Sequence, residues 1–157
     1  MKMEIKFMNF TTFLEKNEYT VTKLGSLETL VIAETPLKKG VYIFCSTSTK
    51  FIYPNSTSNV IYIGKADNLQ DRLETHKSHL LNIKSYAEKD KHLYWTKSLY
   101  NYLDKHGDDV YFVSAKKNKI AHNLEGDIFE IFFKKYLSIP VGNSAFSFGT
   151  KNRKSIF

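Results

Sequence analysis

Two short runs of β-branched and aromatic residues, each bounded by a glycine, constrain the fold of this chain more than any other feature. The first run, 41–45 (VYIFC), follows Gly40, and the second, 60–63 (VIYI), leads into Gly64. Runs of this composition are typical of β-strands. A polar connection, residues 46–59, separates them, so an antiparallel hairpin is the most economical pairing.

The rest of the chain alternates helical and strand patterns around this hairpin. Apolar residues recur at the helical period in four segments, 9–16, 69–81 after a cap at Asp67 or Asn68, 92–105 and 120–137. Outside the hairpin, the strand patterns are 110–113 and one or two strands within 21–34. These elements predict a small α+β domain. We expect a three-stranded antiparallel sheet flanked by helices in residues 36–157, after an N-terminal extension, residues 1–35.

The composition is that of an ordinary globular domain with an excess of basic side chains. Hydrophobic residues make up 42% of the 157 positions, and no apolar run approaches the ~18 residues that span a membrane. The net charge of +7 attracts polyanions, of which phosphate backbones are the commonest. Cys45 is the only cysteine, which excludes an intrachain disulfide and predicts a cytoplasmic protein.

Several polar and aromatic residues are placed to meet near the end of the hairpin. Arg72 and His76 are four positions apart on a predicted helix, so they share one helix face. That helix starts where the second strand ends, which brings both side chains to the edge of the strand. Tyr42 and Tyr62 lie on the neighbouring strands. Each residue alone is better explained by packing or solvation, but the joint pattern is harder to explain that way.

The order of these residues resembles the GIY-YIG nuclease superfamily. The resemblance covers residues 36–145, and it is carried by Gly40-Val41-Tyr42, Tyr62-Ile63-Gly64, Lys65 to Leu69, Arg72, His76, Glu125 and Asn143. A single tripeptide of this kind has little weight. Several elements in the right order, on the right secondary structures, are hard to obtain by chance.

The resemblance implies a DNA endonuclease that depends on a divalent metal ion. One Mg²⁺, or Mn²⁺, would bind Glu125 in each active site. Tyr42 would act as general base for an attacking water, and Arg72 would pair with the scissile phosphate. Two points stay open in the sequence: Glu130 competes with Glu125 for the metal, and the group that holds the catalytic proton is not fixed.

The remaining site residues take supporting roles under the same resemblance. Tyr62, His76 and Lys65 would support the base and orient the phosphate, while Gly64 and Asn143 would contact the substrate. The sequence leaves the biological role open between a restriction-type enzyme, a repair or homing nuclease, and another DNA-processing or defence enzyme. A catalytically silent DNA-binding module is the alternative from another class.

The sequence also bears on partners beyond DNA. A restriction-type enzyme would act as a homodimer, since two-fold symmetry matches a palindromic site. Residues 1–35 either pack on the core or contact a second copy or DNA. The basic stretch 151–154 is expected to form a tail, and no membrane partner is expected.

Overall fold

An antiparallel sheet of four strands forms the centre of the fold in the computed structural model, which describes residues 8–86, 98–115 and 123–143. The helices are α1 (Phe10–Lys16), α2 (Leu69–Tyr86), α3 (Ser98–His106) and α4 (Leu124–Tyr136), with a 3-10 helix at Ile32–Glu34. The strands are β1 (Tyr19–Gly25), β2 (Gly40–Cys45), β3 (Phe51–Ile52), β4 (Thr57–Ser58), β5 (Val60–Ala66) and β6 (Asp109–Ala115). Two predicted helices begin at His92 and Ile120, and both of these positions lie outside the described residues. The predicted tail, 151–154, lies outside them as well.

The α+β class and the central hairpin are confirmed, but the number of strands is not. β2 and β5 pair antiparallel, as predicted, and β6 pairs with the other edge of β2. The sheet order is β1-β6-β2-β5, so the prediction of three strands is wrong. The fourth strand, β1, comes from the N-terminal extension and covers the outer edge of β6, where it satisfies backbone groups that would otherwise face solvent.

Only the first part of segment 21–34 is a strand. β1 ends at Gly25, whose φ of 114° is one that other residues rarely adopt. The buried carboxylate of Asp108 then accepts a hydrogen bond from the backbone N–H of Leu27 at 2.7 Å, which holds the following turn against the start of β6. The chain therefore leaves the sheet after Gly25 instead of forming a second strand.

Helices cover both faces of the sheet. The side chains of the central strand β2 point alternately to the two faces, so each face has its own core. Val41 and Ile43 belong to one core with α1 and α4. Tyr42 and Phe44 belong to a second core with α2 and α3. The two buried residues of α1, Phe10 and Leu14, lie in the first core. Residues of the N-terminal extension thus contribute both a strand and core side chains.

The helix boundaries follow local signals in the sequence. The side chain of Asn68 accepts a hydrogen bond from the backbone N–H of Asp71 at 3.3 Å, which confirms Asn68 as the cap of α2. α3 ends at His106, and Gly107 has the left-handed φ of 69° that is typical of a helix stop. The polar connection 46–59 contains the short β3–β4 hairpin, which was not predicted. Within the described residues, no helix combines the length and apolar character needed to cross a membrane.

Candidate active site

The β2–β5 ladder places the two predicted tyrosines on the face covered by α2 and α3. Tyr42 is paired with Gly64, and Phe44 with Tyr62. A Cβ on Gly64 would lie 2.5 Å from both Cζ and Oη of Tyr42, so the ring of Tyr42 occupies the space that a side chain would take. The close approach at Gly64 is made here by a tyrosine of the same protein.

The hydroxyl of Tyr42 is the centre of a hydrogen-bonded cluster. It lies 2.7 Å from Nε2 of His76, and it accepts a hydrogen bond from Nε of Arg72 at 3.3 Å. Both of these partners come from α2, where their spacing puts them on one face. Tyr42 is 0% exposed and His76 is 2% exposed, whereas Arg72 is at the surface. Three of the predicted catalytic residues therefore meet at one buried oxygen.

A second tyrosine, Tyr100 on α3, extends this cluster beyond the predicted residues. Its hydroxyl lies 2.9 Å from Nδ1 of His76, so both ring nitrogens of His76 have a partner. Its ring also stacks on His79, with centroids 5.3 Å apart. Nothing in the spacing of the sequence pairs Tyr100 with His76, because the contact joins two different helices.

Burial keeps the central pair of side chains neutral. It raises the pKa of the Tyr42 phenol well above its ordinary value, an effect that the neighbouring Tyr62 reinforces and Arg72 opposes. Burial also lowers the pKa of His76 to about 3, with smaller contributions from Arg72 and His79. At neutral pH the site therefore holds a phenol and an uncharged imidazole. The hydrogen bond to Tyr42 raises the pKa of Arg72, which stays charged.

Tyr62 lies at the more open side of the cluster. Its ring stacks on Phe44 with centroids 5.8 Å apart, and it lies 5.9 Å from the rings of both Tyr42 and His76. Tyr62 is only half-buried. Together with Arg72, it forms the part of the cluster that an incoming ligand would meet first.

Glu125 and Lys65 lie on the opposite face of the same hairpin. Lys65 is paired with Val41, which belongs to the core under α4, and side chains of directly paired residues share a face. Glu125, in the first turn of α4, lines a cavity of about 290 Å³ with Lys65, Lys39 and Asp67. The structure thus brings the predicted residues together in two groups, and no hydrogen bond or ion pair among the described residues joins Glu125 to Tyr42, Arg72 or His76.

The two glutamates that compete for the metal differ in their surroundings. Glu130 forms an ion pair with Lys134 at 3.2 Å, one turn along α4. Glu125 has no such partner in the part of the chain that the structure describes, and it lines the cavity. Among residues 8–86, 98–115 and 123–143, no three His, Cys, Asp or Glu side chains are grouped to hold a metal ion. Any metal there would rely on few protein ligands.

Asn143 lies at the outer edge of β5. Its Oδ1 accepts a hydrogen bond from the backbone N–H of Ile63 at 3.0 Å, and its Nδ2 donates to the Ile63 carbonyl at 2.9 Å. The backbone N–H of Gly142 donates to the carbonyl of Ile61 at 2.7 Å. The amide of Asn143 therefore holds the strand that carries Tyr62 and Gly64.

Comparison with known proteins finds no family model, no curated protein and no solved structure that matches this chain. The chemistry of the site therefore rests on its own side chains. Arg72 presents a cation that suits a phosphate. The hydrogen bonds that link Tyr42, His76 and Tyr100 offer a path for a proton between a buried hydroxyl and α3.

Proposed function

We propose that this chain is a divalent-metal-dependent DNA endonuclease of the GIY-YIG type, which hydrolyses phosphodiester bonds. The observation that carries the proposal is the cluster at the Tyr42 hydroxyl. Arg72 and His76 were selected with Tyr42 by their order in the sequence, and all three lie within hydrogen-bonding distance of one atom. Tyr62 packs against the same cluster. If the match to the motif had arisen by chance, these three side chains would not be expected to meet at one atom.

The basic side chains suit a phosphate backbone. Arg72 is exposed and charged, and it stands at the entrance to the cluster. Lys39 and Lys65 line the cavity on the other face of the hairpin. With a net charge of +7, these groups favour DNA association at low salt. Arg72 is the residue we assign to the scissile phosphate, because its planar guanidinium can pair with two phosphate oxygens.

The burial of Tyr42 determines how it would act as a base. Its hydroxyl is enclosed by Arg72, His76 and the backbone of Gly64. Pairing of Arg72 with a phosphate would break its 3.3 Å hydrogen bond to Tyr42 and open one side of the hydroxyl to water. A water proton would then pass to Tyr42 as the phenol proton passes to Nε2 of His76.

The hydrolysis balances with this single relay. The water oxygen adds to phosphorus, one P–O ester bond breaks, and the leaving oxygen takes a proton from solvent. The products are one phosphate end and one hydroxyl end, and the imidazolium formed at His76 returns its proton to solvent. Because burial disfavours a charged His76, the negative charge of the bound phosphate must offset that cost.

The donor chemistry of the cavity fits a hard divalent cation. Glu125 and Asp67 both line it, and carboxylate oxygens are the ligands that Mg²⁺ accepts while it keeps most of its waters. We assign Glu125 as the principal ligand, with Mn²⁺ as the substitute ion. A cation bound there would add positive charge to this face of the hairpin, where it would attract the DNA backbone. The charge around the ion would also depend on the other ionisable residues that line the cavity, which are Lys65, Lys39 and Asp67.

A silent DNA-binding module is the second candidate function. Two observations favour it: Tyr42 is fully buried, and Glu125 lies on the other face of the hairpin. The basic groups named above would serve binding equally well. The two functions differ only in whether a bound DNA is cut.

Incubation of the pure protein with supercoiled plasmid and Mg²⁺, with EDTA as control, separates these two functions. We expect cleavage that EDTA abolishes while DNA binding persists. Arg72→Ala should reduce cleavage about 100-fold. Lys134→Ala removes an equal charge from the distant, exposed Glu130 ion pair and should leave cleavage unchanged. Binding without cleavage in both Mg²⁺ and Mn²⁺ would reject the nuclease in favour of the silent module.

A further inference from the structure

Leu37 is an apolar side chain exposed to solvent close to the candidate active site. It is 72% exposed, and it lies in the loop, residues 35–39, that leads into β2. A single exposed leucine is ordinary on a protein surface. Leu37 differs from an ordinary surface leucine in how firmly its loop is held and in the charges beside it.

The loop is fixed to the first turn of α2 on both sides of Leu37. Nε2 of Gln70 donates a hydrogen bond to the carbonyl of Thr35 at 2.6 Å. The backbone N–H of Leu69 donates one to the carbonyl of Lys38 at 3.0 Å. A backbone held in this way has little freedom to lose when a ligand covers the side chain, so burial of that side chain contributes more to affinity.

The same contacts place Leu37 beside the turn that carries Arg72. Leu69 and Arg72 are three positions apart in α2, so they are neighbours on the surface of this helix. Leu37 precedes Lys38, whose carbonyl is bonded to Leu69. A duplex with a phosphate at Arg72 would bring the adjacent base pairs to Leu37, because successive base pairs are only about 3.4 Å apart.

Basic side chains flank Leu37. Lys38 and Lys39 follow it directly, and both are exposed. The exposed carboxylates of Asp67 and Asp71 offset part of this charge. The minor groove of DNA is about 6 Å wide and has phosphates along both sides. An apolar side chain next to two lysines matches this pattern, with the lysines at the phosphates and the leucine at the bases.

We propose that Leu37 is a wedge that enters the minor groove of a bound duplex and unstacks one base step. An apolar side chain inserted in this way separates two neighbouring bases and kinks the duplex. Unstacking costs least at flexible pyrimidine–purine steps such as TA, whereas A-tracts are stiff. The substrate is therefore duplex DNA with a flexible step near the bond that is cut. Only the reference to that bond rests on the proposed nuclease function.

Ile52 provides a matched control at the opposite end of β2 from Leu37. It lies on β3, beyond the end of the β2–β5 ladder. Its side chain is 88% exposed, and Lys50 lies two residues before it. Ile52→Ala therefore removes a comparable apolar side chain near a basic residue. Both side chains are at the surface, so neither substitution removes core packing.

Permanganate oxidises unstacked thymines, so it reports a wedge wherever along a duplex the protein binds. The probe is a short duplex with a central TA step, mixed with the protein in EDTA so that no strand is cut. We expect wild type and Ile52→Ala to raise the reactivity of the thymines at this step several-fold. Leu37→Ala should leave it at the level of free DNA. Leu37→Ala should also bind this duplex about 10-fold more weakly and lose the preference for it over an A-tract duplex.

Each outcome of these measurements decides a different point. Absence of unstacking by the wild type, or unstacking that persists in Leu37→Ala, would overturn the wedge. An equal loss in Ile52→Ala would assign the effect to exposed apolar surface in general and would also overturn it. Unstacking by a wild type that cuts no plasmid in Mg²⁺ would uphold the wedge and reject the nuclease. If Leu37→Ala changed the mass of the free protein in solution and not the thymine reactivity, Leu37 would contact a second copy instead of DNA.

Discussion

Gly64 lies opposite Tyr42 across the β2–β5 ladder, and its missing side chain is the space that the tyrosine ring fills. The second glycine of the motif is therefore tied to its first tyrosine by packing. Any side chain at position 64 must displace the residue whose hydroxyl joins Arg72 and His76. The geometry of the whole cluster depends on this one contact.

Gly64→Ala is expected to lower the free energy of unfolding by about 1–3 kcal/mol, the usual cost of overpacking. The added Cβ would stand 2.5 Å from the Tyr42 ring, so the ring has to move and its hydrogen bonds are lost. Urea denaturation measures the change. Gly126→Ala is the control, because the atoms nearest to its Cβ would belong to the flexible side chain of Asn123. Equal stability of Gly64→Ala and wild type would disprove this packing.

Glu125→Gln is expected to reduce Mg²⁺-dependent cleavage about 100-fold, since it removes the charge that holds the cation and keeps the side-chain shape. Glu130→Gln loses only an exposed ion pair with Lys134, worth about 0.3–0.5 kcal/mol, and should stay active. Cleavage rates at several Mg²⁺ concentrations distinguish the two variants. If Glu130→Gln were inactive and Glu125→Gln active, the metal ligand would be Glu130 and not Glu125.

Acid should destabilise the wild type more than His76→Gln. The folded protein holds His76 at a pKa of about 3, below its ordinary 6.5, so the unfolded chain binds this proton more readily. The contribution of His76 to the free energy of unfolding is fully present above pH 6.5, and it is lost as the pH falls from 6.5 towards 3. Between pH 7 and pH 5 the wild type should lose about 2 kcal/mol more than the variant.

The measurement for His76 is urea denaturation at both pH values, with His106→Gln as the control for loss of a histidine elsewhere. His106 lies at the end of α3 and bonds to Thr49, away from the Tyr42 cluster. If the stability difference between wild type and His76→Gln is the same at pH 7 and pH 5, the imidazole is not held neutral by burial.

Asn143→Ala is expected to destabilise the fold by about 1–3 kcal/mol, because two backbone groups of Ile63 lose their partners. DNA affinity at fixed salt should not change. Ser138→Ala, which loses only a local bond to Ile139, is the control. A variant with normal stability and weakened DNA binding would show instead that Asn143 contacts the substrate, as the family resemblance implies.

The mass of the protein in solution, with and without DNA, tests the proposed homodimer. One active site cuts one strand at a time, so a restriction-type enzyme should bind DNA as two copies and convert plasmid to the linear form. The time course of nicked and linear plasmid measures this conversion. A monomer on DNA that accumulates only nicked circles would exclude the dimer and favour a nicking or repair role.

The parts of the fold that the sequence predicts are those set by local pattern. The β2–β5 hairpin and the Asn68 cap of α2 depend on neighbours a few residues away. The sequence predicts a strand within 21–34, but it does not predict that this strand joins the sheet as β1. The partner of β1 is remote in the sequence: Tyr19 pairs with Ala115. Periodicity alone cannot supply such a pairing.

The site shows the same division between local and remote information. Helical spacing correctly put Arg72 and His76 on one face, near Tyr42. It could not show that α4, with Glu125, packs against the opposite side of the sheet, because periodicity defines a helix face but not the layer it joins. Tyr100 was missed for a related reason, since its role depends on the docking of α3 on α2.

The position of β6 between β1 and β2, although it follows both in the chain, imposes an order on folding. The β2–β5 hairpin has all its residues once position 66 has been synthesised, so it can form early. β1 is made before it, yet β1 has no neighbouring strand until residues 109–115 leave the ribosome. The edge of β2 that faces away from β5 also stays unpaired until the same segment has been synthesised. The first strand of the chain is thus among the last to be incorporated, and arrest of synthesis before residue 109 would leave it without a partner.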